Sequence, residues 1–191
     1  MSYCPITGET HCKCLNAGAP VHAMKVDLKS TLRKLFTDHA VYTAFVLKSI
    51  VDKQKDTKVF LTRLLNNQKD IGDQLKPIVG QANGNLITKL LTEHINLAGA
   101  VITAATNKDA SLQSKIDALF DNSEQVAEAL HSLNPTALPL DDVRNMFDTH
   151  NQFVIDMTTN RLKHNYQQEQ KLFDAYYNEI LDMSDAIYNA L

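Results

Sequence analysis

The chain has 191 residues, of which 44% are hydrophobic and 21% charged, and a formal net charge of −3 at pH 7. This length is enough for one domain with a sizeable core, and the composition is that of an ordinary globular protein. A slightly acidic chain lacks the basic face that nucleic-acid binding requires, and the sequence has no run of about 18 apolar residues that could span a membrane. We therefore expect neither a nucleic-acid partner nor a membrane span.

Residues 1–24 contain two prolines and two glycines and show no helical periodicity, which predicts an irregular arm. The three cysteines of the chain all lie in this arm, so the rest of the fold is not expected to depend on disulfides. Cys4, His11, Cys12 and Cys14 could bind zinc, although Cys-x-Cys is tighter than the usual spacing of zinc ligands. The same thiols could instead stay free or form a disulfide with a partner chain.

From about Lys25 the apolar residues recur at the spacing of amphipathic helices, with breaks where glycine, proline or asparagine occurs. No segment has a convincing strand pattern. The fold class predicted for residues 25–191 is therefore all-α, a single domain formed by one helical bundle. The six predicted helices span residues 25–54, 57–77, 85–106, 109–133, 140–164 and 166–190.

A histidine interrupts the apolar stripe of the first, third and fifth predicted helices. These histidines are His39, His94 and His150, and they recur at almost equal intervals along the chain. Residues at steps of three and four share one helix face, so all three side chains are expected to face the interior. The stripes consist of Leu28, Leu32, Leu35, Tyr42 and Val46, then Ile87, Leu90, Leu97 and Val101, then Val143, Met146, Phe153 and Met157.

A second marker recurs at one fixed distance after each histidine, where the chain has Asn67, Asn122 and Asn178. In the last helix the apolar stripe places Glu179, rather than Asn178, on the inner face. The pattern predicts three copies of a helical hairpin of about 55 residues, each of which hides its apolar stripe only by packing on the others. Three copies can close on themselves, so we expect a compact six-helix bundle with pseudo-threefold character.

The inner polar residues are the candidate site, and three interpretations remain open. They could form a buried hydrogen-bond network that fixes helix register. Three imidazoles and one carboxylate could instead bind Zn²⁺ or a non-haem iron or manganese ion, although asparagine is a poor ligand for these metals. A small molecule bound between the hairpins would need an internal cavity. The candidates are His39, His94, His150, Asn67, Asn122, Glu179 and Asp70.

Several segments resemble a family of uncharacterised all-helical proteins found in bacteria and in large DNA viruses. They are LFTDHAVYT, RLLNNQKDIG, LTEHINLAGAVITAA, DNSEQVAEALHSLNP and a final segment ending in MSDAI, within residues 28–188. The most specific is RLLxNQxDIG, here Arg63 to Gly72. Members often carry enzyme names such as glycosyltransferase, but the resemblance implies no established activity. It implies matching residues at His39, Asn67, His94, Asn122 and His150, and a histidine in many members where this chain has Glu179.

Motifs typical of nucleotide-binding loops and hydrolase nucleophiles, GxGxxG, the Walker loop and GxSxG, are missing from the sequence. The pattern therefore favours a non-enzymatic protein with a structural or interaction role, whose arm, residues 1–24, tethers it to a protein partner. The N-terminus does not read as a secretory signal, so we expect a cytoplasmic protein, or a virion component if the chain is viral. The alternative is a metal-binding bundle with redox or hydrolytic activity. The oligomeric state is left open.

Overall fold

The computed structural model describes residues 21–191, with side chains from Asp27 onward. These residues form six α-helices and no strand, which confirms the predicted all-α bundle. The first helix begins at Val21 rather than near Lys25, so the boundary predicted for the arm is too late. The helices are α1 (Val21–Val51), α2 (Thr57–Val79), α3 (Gln81–Asn107), α4 (Leu112–Leu133), α5 (Leu140–Leu162) and α6 (Tyr166–Ala190).

The helices form a closed ring in which each contacts the next and α6 returns to α1. The odd helices α1, α3 and α5 also contact one another, so they form the inner part of the bundle. The main apolar core contains residues of all six helices, including Leu32, Leu75, Ile102, Val126 and Tyr176. This arrangement places the inner faces of α1, α3 and α5 around one central region.

Each odd helix ends in the same way. Lys53, Lys108 and His164 follow α1, α3 and α5 with φ of 54°, 54° and 57°, a left-handed conformation that is uncommon for residues other than glycine. Each follows the inner histidine of its hairpin at the same distance along the chain. In all three turns the next residue donates its backbone N–H to a carbonyl five positions earlier, at 2.8, 2.9 and 2.8 Å. The recurrence of one turn geometry supports the predicted hairpin repeat.

The connection between α2 and α3 is shorter than predicted. The segment KPIVGQANGN was expected to separate the helices, but α2 continues through Pro77 to Val79 and α3 begins at Gln81. Gly80 alone makes the turn, with a φ of 84° that favours glycine. Pro77 has no N–H, so the carbonyl of Asp73, four residues earlier on the exposed side of α2, lacks its helical hydrogen bond.

Glycines allow α2 and α3 to approach closely just before and after this turn. A Cβ atom at Gly72 would lie 1.8 Å from Oγ1 of Thr88, and one at Gly84 would lie 2.3 Å from Cγ of Lys76. Both values are far below a van der Waals contact, so side chains at these positions would push the two helices apart. Gly84 is therefore a packing residue inside α3, not part of the turn.

The buried faces follow the prediction in part. In α1 and α3, most of the predicted stripe is buried, whereas Leu28, Tyr42 and Leu97 are only partly buried. In α5, Val143 is buried as predicted, but Phe147 and Val154 are buried in place of Met146 and Phe153, which are only partly buried. The predicted stripe of α5 was therefore wrong by one residue at two positions, although His150 and Met157 are buried.

Among the described residues, no helix is long and apolar enough to cross a membrane. The zinc or disulfide prediction for Cys4, His11, Cys12 and Cys14 concerns positions outside the described residues.

Candidate functional site: a buried three-histidine centre

The three predicted histidines converge in the centre of the bundle. Their ring centroids are 5.6 Å apart for His39 and His150 and 5.8 Å apart for His94 and His150. All three residues are buried, with exposed fractions of 7%, 3% and 4%. The odd helices bring them together because each histidine lies on the inner face of its helix. His150 lies between the other two and also packs against the ring of Tyr176, at a centroid distance of 5.2 Å.

In the first hairpin, α1–α2, the partner of the histidine differs from the prediction. Nδ1 of His39 contacts Nε2 of Gln68 at 3.1 Å, not Asn67. Asn67 is also fully buried, but it donates from Nδ2 to the carbonyl oxygen of Leu35 at 3.0 Å. Both residues reach the interior because they are adjacent on the inner side of the same helix turn.

In the second hairpin, α3–α4, one asparagine makes both contacts. Asn122 donates from Nδ2 to the carbonyl oxygen of Leu90 at 3.3 Å, and its Oδ1 is 3.0 Å from Nδ1 of His94. Leu90 lies one helical turn before His94, as Leu35 lies one turn before His39. The predicted pairing of His94 with Asn122 is therefore present.

In the third hairpin, α5–α6, a carboxylate takes the place of the amide. Oε2 of Glu179 is 3.3 Å from Nδ1 of His150, and the Glu179 side chain is only 14% exposed. Asn178 is exposed, so Glu179 occupies the inner position, as predicted. A bond between hairpins completes the polar layer, because Asn151 donates from Nδ2 to Oγ of Ser123 at 2.8 Å.

The hydrogen-bond partners determine which nitrogen of each ring carries hydrogen. Nε2 of Gln68 also lies 3.0 Å from the carbonyl oxygen of Leu64 and 3.2 Å from Oδ1 of Asn67, so its two hydrogens are shared among three neighbours, and reversing its amide would place oxygen against oxygen. The amide nitrogen of Gln68 therefore faces His39, whose Nδ1 accepts and whose Nε2 carries the hydrogen.

The other two rings have the opposite tautomer. Asn122 uses its Nδ2 for a carbonyl, so its Oδ1 accepts from Nδ1–H of His94. The carboxylate of Glu179 can only accept, so Nδ1 of His150 donates. A neutral imidazole that donates from Nδ1 keeps a lone pair on Nε2. The centre therefore receives an N–H from His39 and a lone pair from His94, and His150 adds a second lone pair in its neutral form.

Burial keeps two of these rings neutral. It lowers the pKa of His39 well below its ordinary value of 6.5, and the neighbouring His150 and His94 lower it further. Burial, followed by the effect of His150, lowers the pKa of His94 to about 3, although the hydrogen bond to Asn122 acts in the opposite direction. Desolvation disfavours the charged form of a buried base, so both rings are uncharged at neutral pH.

Two small cavities lie beside the histidines, and all three rings line both. One has a volume of about 30 Å³ and is also lined by Gln68, and the other has a volume of about 20 Å³ and is also lined by Thr43. Drug-sized ligands occupy roughly 300–1,000 Å³. The predicted small-molecule pocket between the hairpins is therefore too small for anything much larger than water.

The metal alternative finds no support in the described residues. No group of three or more His, Cys, Asp or Glu side chains in residues 27–191 is arranged to hold a metal ion. The tautomer of His39 acts in the same direction, because a metal needs a lone pair from every ligand nitrogen and Nε2 of His39 carries a hydrogen. Asp70, which was predicted on the inner face, is instead at the surface, with 51% of its side chain exposed and a carboxylate oxygen 3.8 Å from Nη1 of Arg63.

Sequence reasoning missed two hydroxyl groups beside the centre. Thr43 and Tyr176 are buried, and neither Oγ1 of Thr43 nor the phenolic oxygen of Tyr176 has a hydrogen-bond partner among the described residues. Burial raises the pKa of Tyr176, which therefore stays a neutral phenol, although the nearby hydroxyl of Thr43 acts in the opposite direction. Both residues lie within apolar stripes, where threonine and tyrosine are indistinguishable from ordinary core residues without coordinates.

A larger cleft lies on the outside of the bundle, between α1, α5 and α6, away from the histidines. It has a volume of about 500 Å³, and Val41, Phe45, Lys48, Tyr166 and Phe173 are among the residues that line it. Phe45 and Tyr166 are 42% and 52% exposed, which is high for large aromatic residues. Arg161 lies at the base of the cleft, where both Glu169 oxygens accept from its Nη1 at 3.0 Å.

Comparison of the chain with family models, with curated proteins and with solved structures gives no match. The function is therefore inferred from the geometry.

Proposed function

We propose that the protein is a non-enzymatic helical bundle with a structural or interaction role, in which the buried histidine network fixes the relative position of the three hairpins. One observation carries the proposal. The Nδ1 atom of every central histidine is bonded to a polar side chain on the outer helix of its own hairpin. A catalytic group needs access to a substrate, whereas these rings are buried beside cavities of about 30 and 20 Å³.

Buried hydrogen-bond networks of this kind specify a unique core, because a shift of one helix would leave several polar groups without partners. The Asn67–Leu35 and Asn122–Leu90 bonds each hold an outer helix in register with an inner one. Partner binding is then assigned to the exterior of the protein, namely the segment that precedes α1 and the cleft beside Phe45. The resemblance to a family present in large DNA viruses extends the proposal to a component of a viral particle.

Elemental analysis tests the proposal against the metalloprotein alternative. Protein purified without a metal-affinity tag, and the variants His94→Ala and Cys12→Ser, would be analysed for zinc, iron and manganese. We expect no stoichiometric metal that depends on His94. A metal present in the wild-type protein and lost in His94→Ala would refute the structural network, whereas zinc lost only in Cys12→Ser would place a separate structural site in the arm.

The interaction role is tested by site-specific cross-linking in the source cells. A photoreactive phenylalanine analogue would replace Phe45 in the cleft, and the same analogue at Val59, which is 67% exposed on α2, would be the matched control. We expect one protein adduct of defined mass from position 45 and none from position 59. Equal labelling from both positions, or none from either, would contradict an interaction through the cleft.

A further inference from the structure

We infer that the three-histidine centre binds a single water molecule, held by hydrogen bonds to His39, His94, His150 and Thr43. The inference rests on the hydrogen-bond network of the proposed function and adds a ligand to it. The ligand is a small neutral molecule with two donors and two acceptors. It would link the three odd helices at the one place where they all meet.

The three rings line the same two cavities, and Nε2 is the nitrogen that each ring does not use to bond the outer helix of its own hairpin. In residues 27–191 no protein hydrogen bond to Nε2 of His39, His94 or His150 is present, since all three rings bond through Nδ1. Buried polar atoms without a protein partner are the usual ligands of internal water.

A threonine hydroxyl beside the histidines also lacks a partner. Thr43 is only 6% exposed, and its Oγ1 has no hydrogen-bond partner within the part of the chain that the structure describes. Thr43 lines the cavity of about 20 Å³ together with the three histidines. A cavity of more than roughly 10–15 Å³ can hold one water if it offers two to four polar partners. This cavity meets both conditions.

The donors and acceptors around the cavity match those of water. His39 offers Nε2–H, and the hydroxyl of Thr43 can donate, so the water oxygen accepts two hydrogen bonds. His94 offers a lone pair on Nε2, and His150 offers another in its neutral form, so both water hydrogens are donated. The four groups match the four hydrogen bonds of a water molecule. A cation would be repelled by the N–H of His39, and an anion by the lone pairs of the other two rings.

A high-resolution crystal structure of the full chain, with anomalous data collected at the zinc, iron and manganese edges, tests the inference. We expect one density peak about 2.7–3.2 Å from the three Nε2 atoms and from Oγ1 of Thr43, with no anomalous signal. An empty cavity would overturn the water site but leave the proposed function standing. A peak about 2.0–2.1 Å from the ring nitrogens with an anomalous signal would be a metal ion and would overturn both.

A pair of variants at one position tests the same site in solution. Thr43→Ile places carbon in the cavity and should displace the water, while Thr43→Ser keeps the hydroxyl and should retain it. Magnetic relaxation dispersion counts water molecules with long residence times, and we expect one fewer in Thr43→Ile than in Thr43→Ser and the wild-type protein. Equal counts in the three proteins would contradict the inference. If Thr43→Ile fails to fold, the crystal structure of the wild-type protein decides.

Discussion

The first and third hairpins place different chemistry at the same position. Gln68 and Glu179 both lie 29 residues after the histidine they contact, at 3.1 and 3.3 Å from Nδ1. The amide of Gln68 donates to His39, whereas the carboxylate of Glu179 accepts from His150. Equivalent histidines therefore use Nδ1 in opposite ways, as an acceptor in the first hairpin and as a donor in the third.

The second hairpin shows another solution. Asn122 combines the two roles that Asn67 and Gln68 divide between them in the first hairpin, because it bonds both the backbone of α3 and the ring of His94. The three hairpins thus share an architecture and differ in how the polar layer is built. The side chain of Gln68 on α2 sets the tautomer of His39. It therefore determines whether Nε2 of His39 presents a hydrogen, which disfavours a metal ion, or a lone pair.

The largest effect is expected from the asparagine with two roles. Asn122→Leu leaves Nδ1–H of His94 and the carbonyl of Leu90 buried without that partner, which should lower the free energy of unfolding by about 2–4 kcal/mol. Asn67→Leu removes the bond to the carbonyl of Leu35 and one of the three neighbours of Nε2 of Gln68, whose contacts with His39 and Leu64 stay, and should cost about 1–2 kcal/mol. The exposed Asn178→Leu is the matched control, with a change within about 0.5 kcal/mol. Urea unfolding of the three variants would measure the order, and equal losses from Asn122 and Asn67 would contradict the division of roles.

Acid should destabilise the bundle through the buried rings. The pKa of His94 is about 3 in the folded protein against an ordinary value of 6.5, and that of His39 is also lowered. Between pH 6.5 and about 3 the unfolded chain binds more protons than the folded one. The stability that comes from keeping these rings neutral is therefore fully present above pH 6.5 and decreases as the pH falls. Each histidine contributes up to about 1.4 kcal/mol per pH unit.

Unfolding free energies measured from pH 7.5 to 4.5 would test this slope. In His94→Gln, which has no imidazole to titrate, the slope should correspond to about one fewer proton taken up on unfolding. A slope that is the same in the wild-type protein and in His94→Gln would show that His94 is not held neutral by the fold.

An added methyl group should destabilise the protein at Gly72 but not at Gly99, because only Gly72 has atoms close to the position of the new Cβ. Gly72 and Ala127 occupy the same position relative to the histidine of their hairpin, and Ala127 is fully buried. Gly72→Ala should cost about 1–3 kcal/mol, because the new Cβ would overlap Oγ1 of Thr88. Gly99→Ala, where a Cβ meets nothing within 4 Å, should stabilise α3 by up to about 1 kcal/mol. Thermal unfolding of both variants compares them, and a neutral Gly72→Ala would mean that α2 and α3 separate at little cost.

The smallest effect is expected when Glu179 is replaced by glutamine, the residue found at the equivalent position of the first hairpin. In Glu179→Gln the amide oxygen can accept from Nδ1–H of His150 as the carboxylate does, so stability at pH 7 should change by less than about 1 kcal/mol. Glu128→Gln on the exposed face of α4 controls for the loss of one charge. A large loss confined to Glu179→Gln would show that the charge of Glu179, not its acceptor oxygen, stabilises the third hairpin.

The helices and their inner histidines could be predicted because apolar periodicity is a property of the chain itself. His39, His94 and His150 interrupt regular stripes, and their nearly equal spacing relates them. The preference for Glu179 over Asn178 also followed from the stripe. The all-α fold required no more than this pattern and the breaks between helices.

The chemistry of the centre could not be predicted in the same way. Asn67 and Gln68 are adjacent and both buried, and only their hydrogen bonds show which one reaches His39. Left-handed residues at Lys53 and Lys108 give no signal either, since lysine rarely adopts that conformation. The tautomer of His39, which bears on the choice between network and metal, follows from the contact that Gln68 on α2 makes with His39 on α1.

The most direct test of the account is a measurement of the three imidazole tautomers at pH 7.5 by long-range ¹H–¹⁵N correlation NMR, with assignments from single-histidine variants. The account predicts hydrogen on Nε2 of His39 and on Nδ1 of His94 and His150. Hydrogen on Nδ1 of all three rings would contradict it, because the centre would then present three lone pairs, the arrangement that a metal ion requires.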